Sequence, residues 1–227
     1  MLDKKKAIIW DMDGVIADTA RYHFQAWQEV FSQRGATYTE ADFKRNFGKR
    51  NDTIIGNTLG SGVSPSEIEA IAARKEASFR RRARSNIKPL PGALELIRSL
   101  KEHGFSQALG SSAPLENIKL VIQELGIAGS FKAIVSGREV SEGKPNPQVF
   151  LLAAKKLGVK PQDCVVIEDS IAGVMAAKRG GMHCLAVTNT HSSAKLARAD
   201  LIVATLEKVK IDDLERLFIR AQKRSLE

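Results

Sequence analysis

The stretch Ala7-Ile8-Ile9-Trp10-Asp11-Met12-Asp13-Gly14-Val15 decides how this chain is read. Four consecutive apolar residues read as a strand buried on both faces, and the run ends on two carboxylates one residue apart. Like charges that close repel, so one of the two pKa values is expected to rise. A buried strand end keeps such a pair when a cation neutralises it or when its proton is used in chemistry. Alternation along a strand sends Asp11 and Asp13 to one face and Met12 to the other. Gly14 then allows a tight turn, so that Asp13 can leave the strand and reach in from above.

Outward from that stretch, short Val/Ile/Leu-rich runs recur at 7–11, 106–110, 133–136, 164–168 and 184–187, with a weaker one at 201–203. Helical patterns separate most of them. Over 92–103, Leu94, Ile97 and Leu100 share a face; 114–125 opens on Pro114 and stops before Gly126; 147–157 stops at Gly158, and 171–179 at Gly180-Gly181. This alternation predicts an α/β fold, a Rossmann-like parallel sheet flanked by helices on both faces. It breaks over 16–89, where helices are expected at 22–34, 40–47, 52–59 and 65–84 with no good strand, and it resumes after Pro89-Leu90-Pro91-Gly92. The expected organisation is therefore a discontinuous core domain, 1–15 and 90–227, with a small α-helical cap domain inserted at 16–89 over the Asp pair. The alternative is extra helices packed on the sheet.

The 227 residues, 43% hydrophobic and 27% charged, describe an ordinary globular chain. No apolar run approaches the roughly 20 residues of a membrane helix. Met1-Leu2-Asp3-Lys4-Lys5-Lys6 is basic, but the apolar stretch after it is too short for a signal-peptide core, and the expected location is cytoplasmic. Cys164 and Cys184 lack CxxC spacing and read as buried structural thiols rather than metal or redox groups. The net charge of +9 has two readings: a basic surface for anionic substrates, or nucleic-acid binding through Arg80-Arg81-Arg82-Ala83-Arg84 and the tail Arg220 to Arg224. Both stretches have helical composition without interleaved aromatics, which favours a solvated helix face. No nucleic acid or membrane partner is expected, and the oligomeric state is left open, a monomer being compatible.

Ligands of open parallel sheets bind beyond the carboxyl ends of the strands. Asp11 and Asp13, Ser111, Lys144, and Glu168-Asp169 all fall at or just past such ends, so sequence-distant groups converge on one edge. Four ionised carboxylates against one ammonium, with a phosphate adding nearly two further charges, require a hard divalent cation, and oxygen ligands favour Mg²⁺. Ionised Asp11 can attack phosphorus without a base. Asp13, its pKa raised by its neighbours, can protonate the leaving oxygen. Ser111, Lys144 and the metal would hold the phosphoryl oxygens. Taken singly, each residue has a plainer role: Asp169-Ser170 and Ser111-Ser112 as helix caps, Lys144 as a surface loop residue.

These residues resemble the four motifs of the haloacid dehalogenase superfamily of phosphotransferases, and the similarity spans nearly the whole chain. The resemblance implies Asp11 as nucleophile, Asp13 as general acid/base, Ser111 and Lys144 as phosphoryl-binding groups, and Asp11, Asp13, Glu168 and Asp169 as the Mg²⁺ site. An insertion directly after the first motif is similar to the β-phosphoglucomutase-like branch, which contains both phosphatases and mutases. Within that branch, Gly14, Ser112, His23, Lys49, Arg50 and Lys75 stand at candidate substrate-binding positions, Arg50 one residue out of register with the mutase arginine. Trp27, four residues after His23, shares its helix face and reads as a core residue of the cap. Ala113-Pro114-Leu115-Glu116-Asn117 departs from the mutase pattern in the way many phosphatases do. The expected function is a Mg²⁺-dependent phosphatase of a small phosphorylated metabolite, a sugar phosphate by class. The alternative is a sugar-phosphate mutase with the same aspartyl-phosphate intermediate, and a more distant one is a non-catalytic nucleic-acid-binding module.

Overall fold

Strand β1 (Ala7–Trp10) lies between β2 (Ser106–Gly110) and β4 (Cys164–Glu168); β3 (Ala133–Val135), β5 (His183–Val187) and β6 (Leu201–Val203) extend the sheet outward. All pairings are parallel, in the order β3-β2-β1-β4-β5-β6. The computed structural model describes residues 5–224, and beyond Ile219 only the helix backbone. The basic start Met1–Lys4 and the side chains of the basic tail therefore lie outside the described residues.

Every residue of β1 is buried, as its apolar run requires. Ile8 and Trp10 face a core formed with α5 (Ala93–Glu102), α6 (Leu115–Glu124) and α9 (Ile211–Arg224). Ala7 and Ile9 face a second core formed with α7 (Gln148–Leu157) and α8 (Ile171–Arg179). Two polar side chains within the first layer are paired: Trp10 Nε1 donates to Gln107 Oε1 at 2.9 Å, and Gln107 Nε2 to the Ile97 carbonyl at 2.9 Å. Cys164 and Cys184 are buried free thiols, and burial pushes Cys164 up to about 12. No helix among the described residues is long and apolar enough to cross a membrane.

Between β1 and α5 come α1 (Ala20–Ser32), α2 (Glu40–Asn46), α3 (Asn51–Leu59) and α4 (Pro65–Ala83). Capping boxes start two of them, Thr39 with Asp42 and Ser64 with Glu67, and Pro65 opens α4. Trp27, Phe31, Tyr38, Ile55 and Ile71 form an apolar cluster separate from both sheet cores. The chain leaves and re-enters side by side: Ala17 bridges both Asp13 and Pro89, Asp18 N–H donates to the Lys88 carbonyl at 2.9 Å and Leu90 N–H to the Ile16 carbonyl at 2.9 Å.

Strand and helix ends differ from the sequence expectations by a residue or two. β1 ends at Trp10, so Asp11 is already in the turn, while β5 begins one residue earlier, at His183. The C-terminal helix α9 begins far ahead of the basic tail that suggested helical composition.

Candidate functional site

Register brings the polar groups together. Trp10 pairs with Leu109 of β2 and with Ile167 of β4, so the residues that follow emerge at one level of the carboxyl edge. Asp11 N–H still donates to the Ile167 carbonyl at 3.0 Å, and Ser111 N–H to the Val135 carbonyl at 3.0 Å. Lys144, from the loop between β3 and α7, extends a fully buried ammonium between two carboxylates, 2.7 Å from Asp11 Oδ1 and 2.7 Å from Glu168 Oε1. It is therefore no surface loop residue. The two carboxylates raise its pKa despite the opposing effect of burial.

Glu168 is anchored on its other oxygen as well. Oε2 accepts from Asp169 N–H at 2.8 Å, Ser170 N–H at 2.7 Å and Ser170 Oγ–H at 2.9 Å. Ser170, not Asp169, caps α8, its Oγ accepting from Gly173 N–H at 3.0 Å. Asp169 is thereby left for another use. Thr190 donates to its Oδ2, while buried Oδ1 has no hydrogen-bond partner. The capping role considered for the serines also fails, because α6 has no side-chain cap. Ser111 Oγ accepts from Ala113 N–H at 3.1 Å, and Ser112 Oγ–H donates to the Gly48 carbonyl at 2.8 Å.

Carboxylate oxygens of Asp11, Glu168 and Asp169 lie within 4.8 Å of one another. Three buried acids with one ammonium, all offering oxygen, and one of them holding an orphaned buried oxygen, fit a hard divalent cation. The carboxylate of Asp13 stands apart from that cluster and is engaged by Thr19 and His23. Asp169 presses close on Gly14: at φ +82°, an added Cβ would stand 2.0 Å from Asp169 Oδ2.

The expected order of pKa values is inverted. Burial, followed by the charges of Glu168 and Asp13 and opposed by Lys144, pushes Asp11 up to about 7. Burial, with Glu168 and Asp11 beside it, pushes Asp169 well above the ordinary carboxylate value. For Asp13 burial also acts upward, but His23, the hydrogen bonds of His23 and Thr19, and Lys75 outweigh it and hold this carboxyl below its ordinary value. Repulsion within the pair thus falls on Asp11.

His23 and Lys75 are buried. Lys75 Nζ lies 2.8 Å from His23 Nδ1 and donates to Glu76 Oε1 at 2.8 Å, while His23 Nε2 lies 3.1 Å from Asp13 Oδ1. His23 thus joins Lys75 to Asp13 through its two ring nitrogens. His23 stacks on Phe79 at 3.9 Å, and Lys75 stands 5.0 Å over the Trp27 ring, making Trp27 both core residue and platform. A cavity is lined by Asp11, Asp13, His23, Ser111, Ser112, Lys49 and Lys75, together with Tyr38 and Glu76.

Arg50 does not line that cavity. Its guanidinium donates to the carbonyls of Val140 at 2.7 Å and Ser141 at 3.0 Å and pairs with Asp52 at 2.8 Å. The arginine run is likewise engaged within the protein. Arg80 donates to Asn117 Oδ1 at 2.9 Å; Arg81 and Arg82 pair with Glu29 at 3.1 and 2.8 Å. Sequence reasoning missed Glu76 and Thr190, and it gave Thr19 and Asn117 no role in the site. Thr190 follows the end of β5, so the strand-end rule that found the acids could have found it. Glu76 and Asn117 meet across α4 and α6 at 2.5 Å, a pairing that no local pattern signals.

Comparison with known proteins follows the same lines. A family described as haloacid dehalogenase-like hydrolase matches residues 5–181. The chain is 34% identical over 207 residues to the β-phosphoglucomutase of Bacillus subtilis (strain 168), covering 87% of this chain and 88% of that one. It is 31% identical over 177 residues to a phosphorylated carbohydrates phosphatase of Thermotoga maritima, covering 78% and 82%. The crystal structure of β-phosphoglucomutase from Clostridium difficile superposes with a TM-score of 0.87 at 28% identity, covering 96% and 98%.

Proposed function

The chain belongs to the haloacid dehalogenase-like hydrolase family, and from that premise we propose that it is a Mg²⁺-dependent phosphatase of a small phosphorylated metabolite, a sugar phosphate by class, acting through an aspartyl phosphate on Asp11. In this reading residues 16–89 form a cap whose paired exit and re-entry segments set it over the sheet edge. One observation supports phosphatase over mutase. A mutase must hold a second phosphoryl group, yet Arg50 is turned out of the cavity and a buried carboxylate, Glu76, lines its wall. Glu76 also neutralises Lys75 at 2.8 Å, leaving Lys49 as the cation there without a carboxylate against it in the described contacts.

Lys144 holds Asp11 Oδ1, so we assign Oδ2 as the attacking oxygen. Ser111 and Lys144 bind the phosphoryl oxygens. Asp13, ionised in this arrangement, is in the state that takes a proton from the water that cleaves the aspartyl phosphate. To protonate the leaving oxygen first, it must gain a proton as the dianionic phosphoryl group arrives, an approach that raises its pKa. His23, whose Nε2 lies beside Asp13 Oδ1, keeps that carboxyl aimed into the cavity. Asp11 and Asp169 would hold Mg²⁺ with Glu168 behind them; the ion would neutralise the acids and polarise the phosphoryl group.

A second reading, a sugar-phosphate mutase, is favoured by the 34% identity to a β-phosphoglucomutase. A coupled assay separates the two. β-Glucose 1-phosphate, primed with β-glucose 1,6-bisphosphate and Mg²⁺, is followed for glucose 6-phosphate and for free phosphate, beside a panel of phosphorylated metabolites. Phosphate release from the panel without isomerisation supports the phosphatase; fast glucose 6-phosphate formation with little phosphate overturns it.

A further inference from the structure

The loop that delivers Lys144 is held from two sides over 140–142, and beyond Lys144, Arg179 Nη1 donates to the Pro145 carbonyl at 3.2 Å. From below, Gln148 Oε1 at the start of α7 accepts from Ser141 N–H at 3.0 Å, Ser141 Oγ–H at 3.0 Å and Glu142 N–H at 3.1 Å. From the helical segment, Arg50 Nη1 donates to the Val140 carbonyl at 2.7 Å and the Ser141 carbonyl at 3.0 Å. Asp52 fixes the other arm of the fork at 2.8 Å. The stem of Arg50 lies so close over Gly143 that an added Cβ there would stand 2.6 Å from Arg50 Cδ. Gly143 is the residue before Lys144. A planar fork with its donors taken by two carbonyls and a carboxylate has a defined place, which a single point charge would not have.

We propose that Arg50 is a positioning residue: it sets the Lys144 loop, and through it the ammonium between Asp11 and Glu168, when the helical segment lies over the sheet edge. The proposal rests on the phosphatase reading above for its catalytic consequence. Lys144 must sit 2.7 Å from each of two carboxylates, and both contacts depend on a loop without strand or helix between Val140 and Asn146. Losing either grip lets the loop drift, and a small misplacement of a charged group beside the nucleophile is expensive in rate. Coverage of the site and readiness of Asp11 are thereby linked. Arg50 does this without touching substrate, which separates it from a distal phosphate receptor.

The test uses the full chain with Mg²⁺ and the variants Arg50→Ala, Arg50→Lys and Gln148→Ala. Turnover is measured on the best phosphomonoester of the panel and on a sugar bisphosphate, and amide hydrogen exchange is followed across 138–146. The expected result is a loss of kcat of about tenfold or more on both substrates, with KM within about threefold of the parent. Gln148→Ala should reproduce it from the opposite side of the loop, Arg50→Lys should restore only part, and exchange at 141–144 should quicken in Arg50→Ala and Gln148→Ala. A rise in KM confined to the bisphosphate, with kcat and exchange unchanged, overturns the proposal and makes Arg50 a ligand. If the parent protein releases no phosphate, the functional reading fails separately. The exchange data still decide the structural claim: unchanged protection at 141–144 in Arg50→Ala refutes it, and faster exchange upholds it. Should Arg50→Ala fail to fold, Gln148→Ala and Arg50→Lys carry the same comparison.

Discussion

Gly173→Ala should damage this protein, although replacing a helical glycine by alanine ordinarily stabilises by about 0.5–1 kcal/mol. Gly173 is the third residue of α8, and an added Cβ would stand 1.6 Å from Glu168 Oε1 and 1.9 Å from Cδ. A flexible carboxylate could swing aside at little cost, but Glu168 is fully buried and tied by Lys144, two backbone N–H groups and Ser170 Oγ. Moving it breaks a buried ion pair, and losing one partner of such a pair costs about 3–5 kcal/mol. Subtracting the helix gain leaves about 2–4 kcal/mol of destabilisation. In a chain of this size that is about 5–15 °C in Tm. Gly56 in α3 is the matched control, since nothing lies within 4 Å of its added Cβ; Gly56→Ala should leave Tm unchanged or slightly raised. Thermal unfolding followed by circular dichroism, with phosphate release measured alongside, reads both. If Gly173→Ala melts with or above the parent and turns over at the parent rate, the argument that Glu168 is immovably anchored is wrong. A Glu168→Asp/Gly173→Ala double variant, which withdraws the carboxylate by one methylene, should recover part of the lost Tm.

Asp11→Asn should fold normally, since Lys144 keeps Glu168 as its partner, while turnover falls by about 10³ or more; substantial residual release of phosphate would remove Asp11 from the nucleophile role. Asp13→Asn should slow esters with poor leaving groups far more than p-nitrophenyl phosphate, and equal losses on both would count against acid catalysis. Mg²⁺ should raise Tm, and by an amount that grows with pH. Asp11, at about 7, and Asp169 have raised carboxyl pKa values, chiefly through burial. Between about pH 4 and the folded value they bind more protons folded than unfolded. Their contribution to stability is present below the unfolded pKa and lost as pH rises through the folded one. A cation binds the ionised forms in competition with those protons. The Mg²⁺-induced shift in Tm should therefore be small near pH 5 and larger near pH 8; an equal shift at both would argue against these acids as the binding groups.

The sheet could be read from the sequence because parallel strands buried on both faces are written as continuous apolar runs, each closed by polar residues. β1, β2 and β4 needed nothing further. The helical stretch between β1 and α5 was equally legible, since capping residues and Pro65 mark its starts. The end of β1 is not written in the sequence to the residue: the strand stops at Trp10, yet Asp11 keeps one ladder hydrogen bond, to Ile167. Helix α9 was not legible because its strongest compositional signal is its basic end, whereas the residues that bury it, Leu214, Leu217 and Phe218, precede Arg220.

The site divides in the same way. Asp11, Ser111, Lys144, Glu168 and Asp169 were found because strand ends converge wherever the strands are parallel, and that is a property of chain order alone. The electrostatics were not legible, and the Asp pair shows why. Spacing says that two carboxylates repel; it does not say which one receives a compensating partner. Lys144 reaches Asp11, but Glu168 and full burial outweigh it, whereas His23, Thr19 and Lys75 arrive at Asp13 from the helical segment and reverse the expected sign. Those three partners lie on α1, α4 and the turn before α1, so their effect exists only while the segment covers the sheet edge. The same holds for Arg50, whose sequence position suggested a ligand and whose fork instead grips a loop 90 residues away. The proton inventory of the Asp pair and the placement of Lys144 are therefore properties of the covered state, and each should change together with the cover rather than with the sheet.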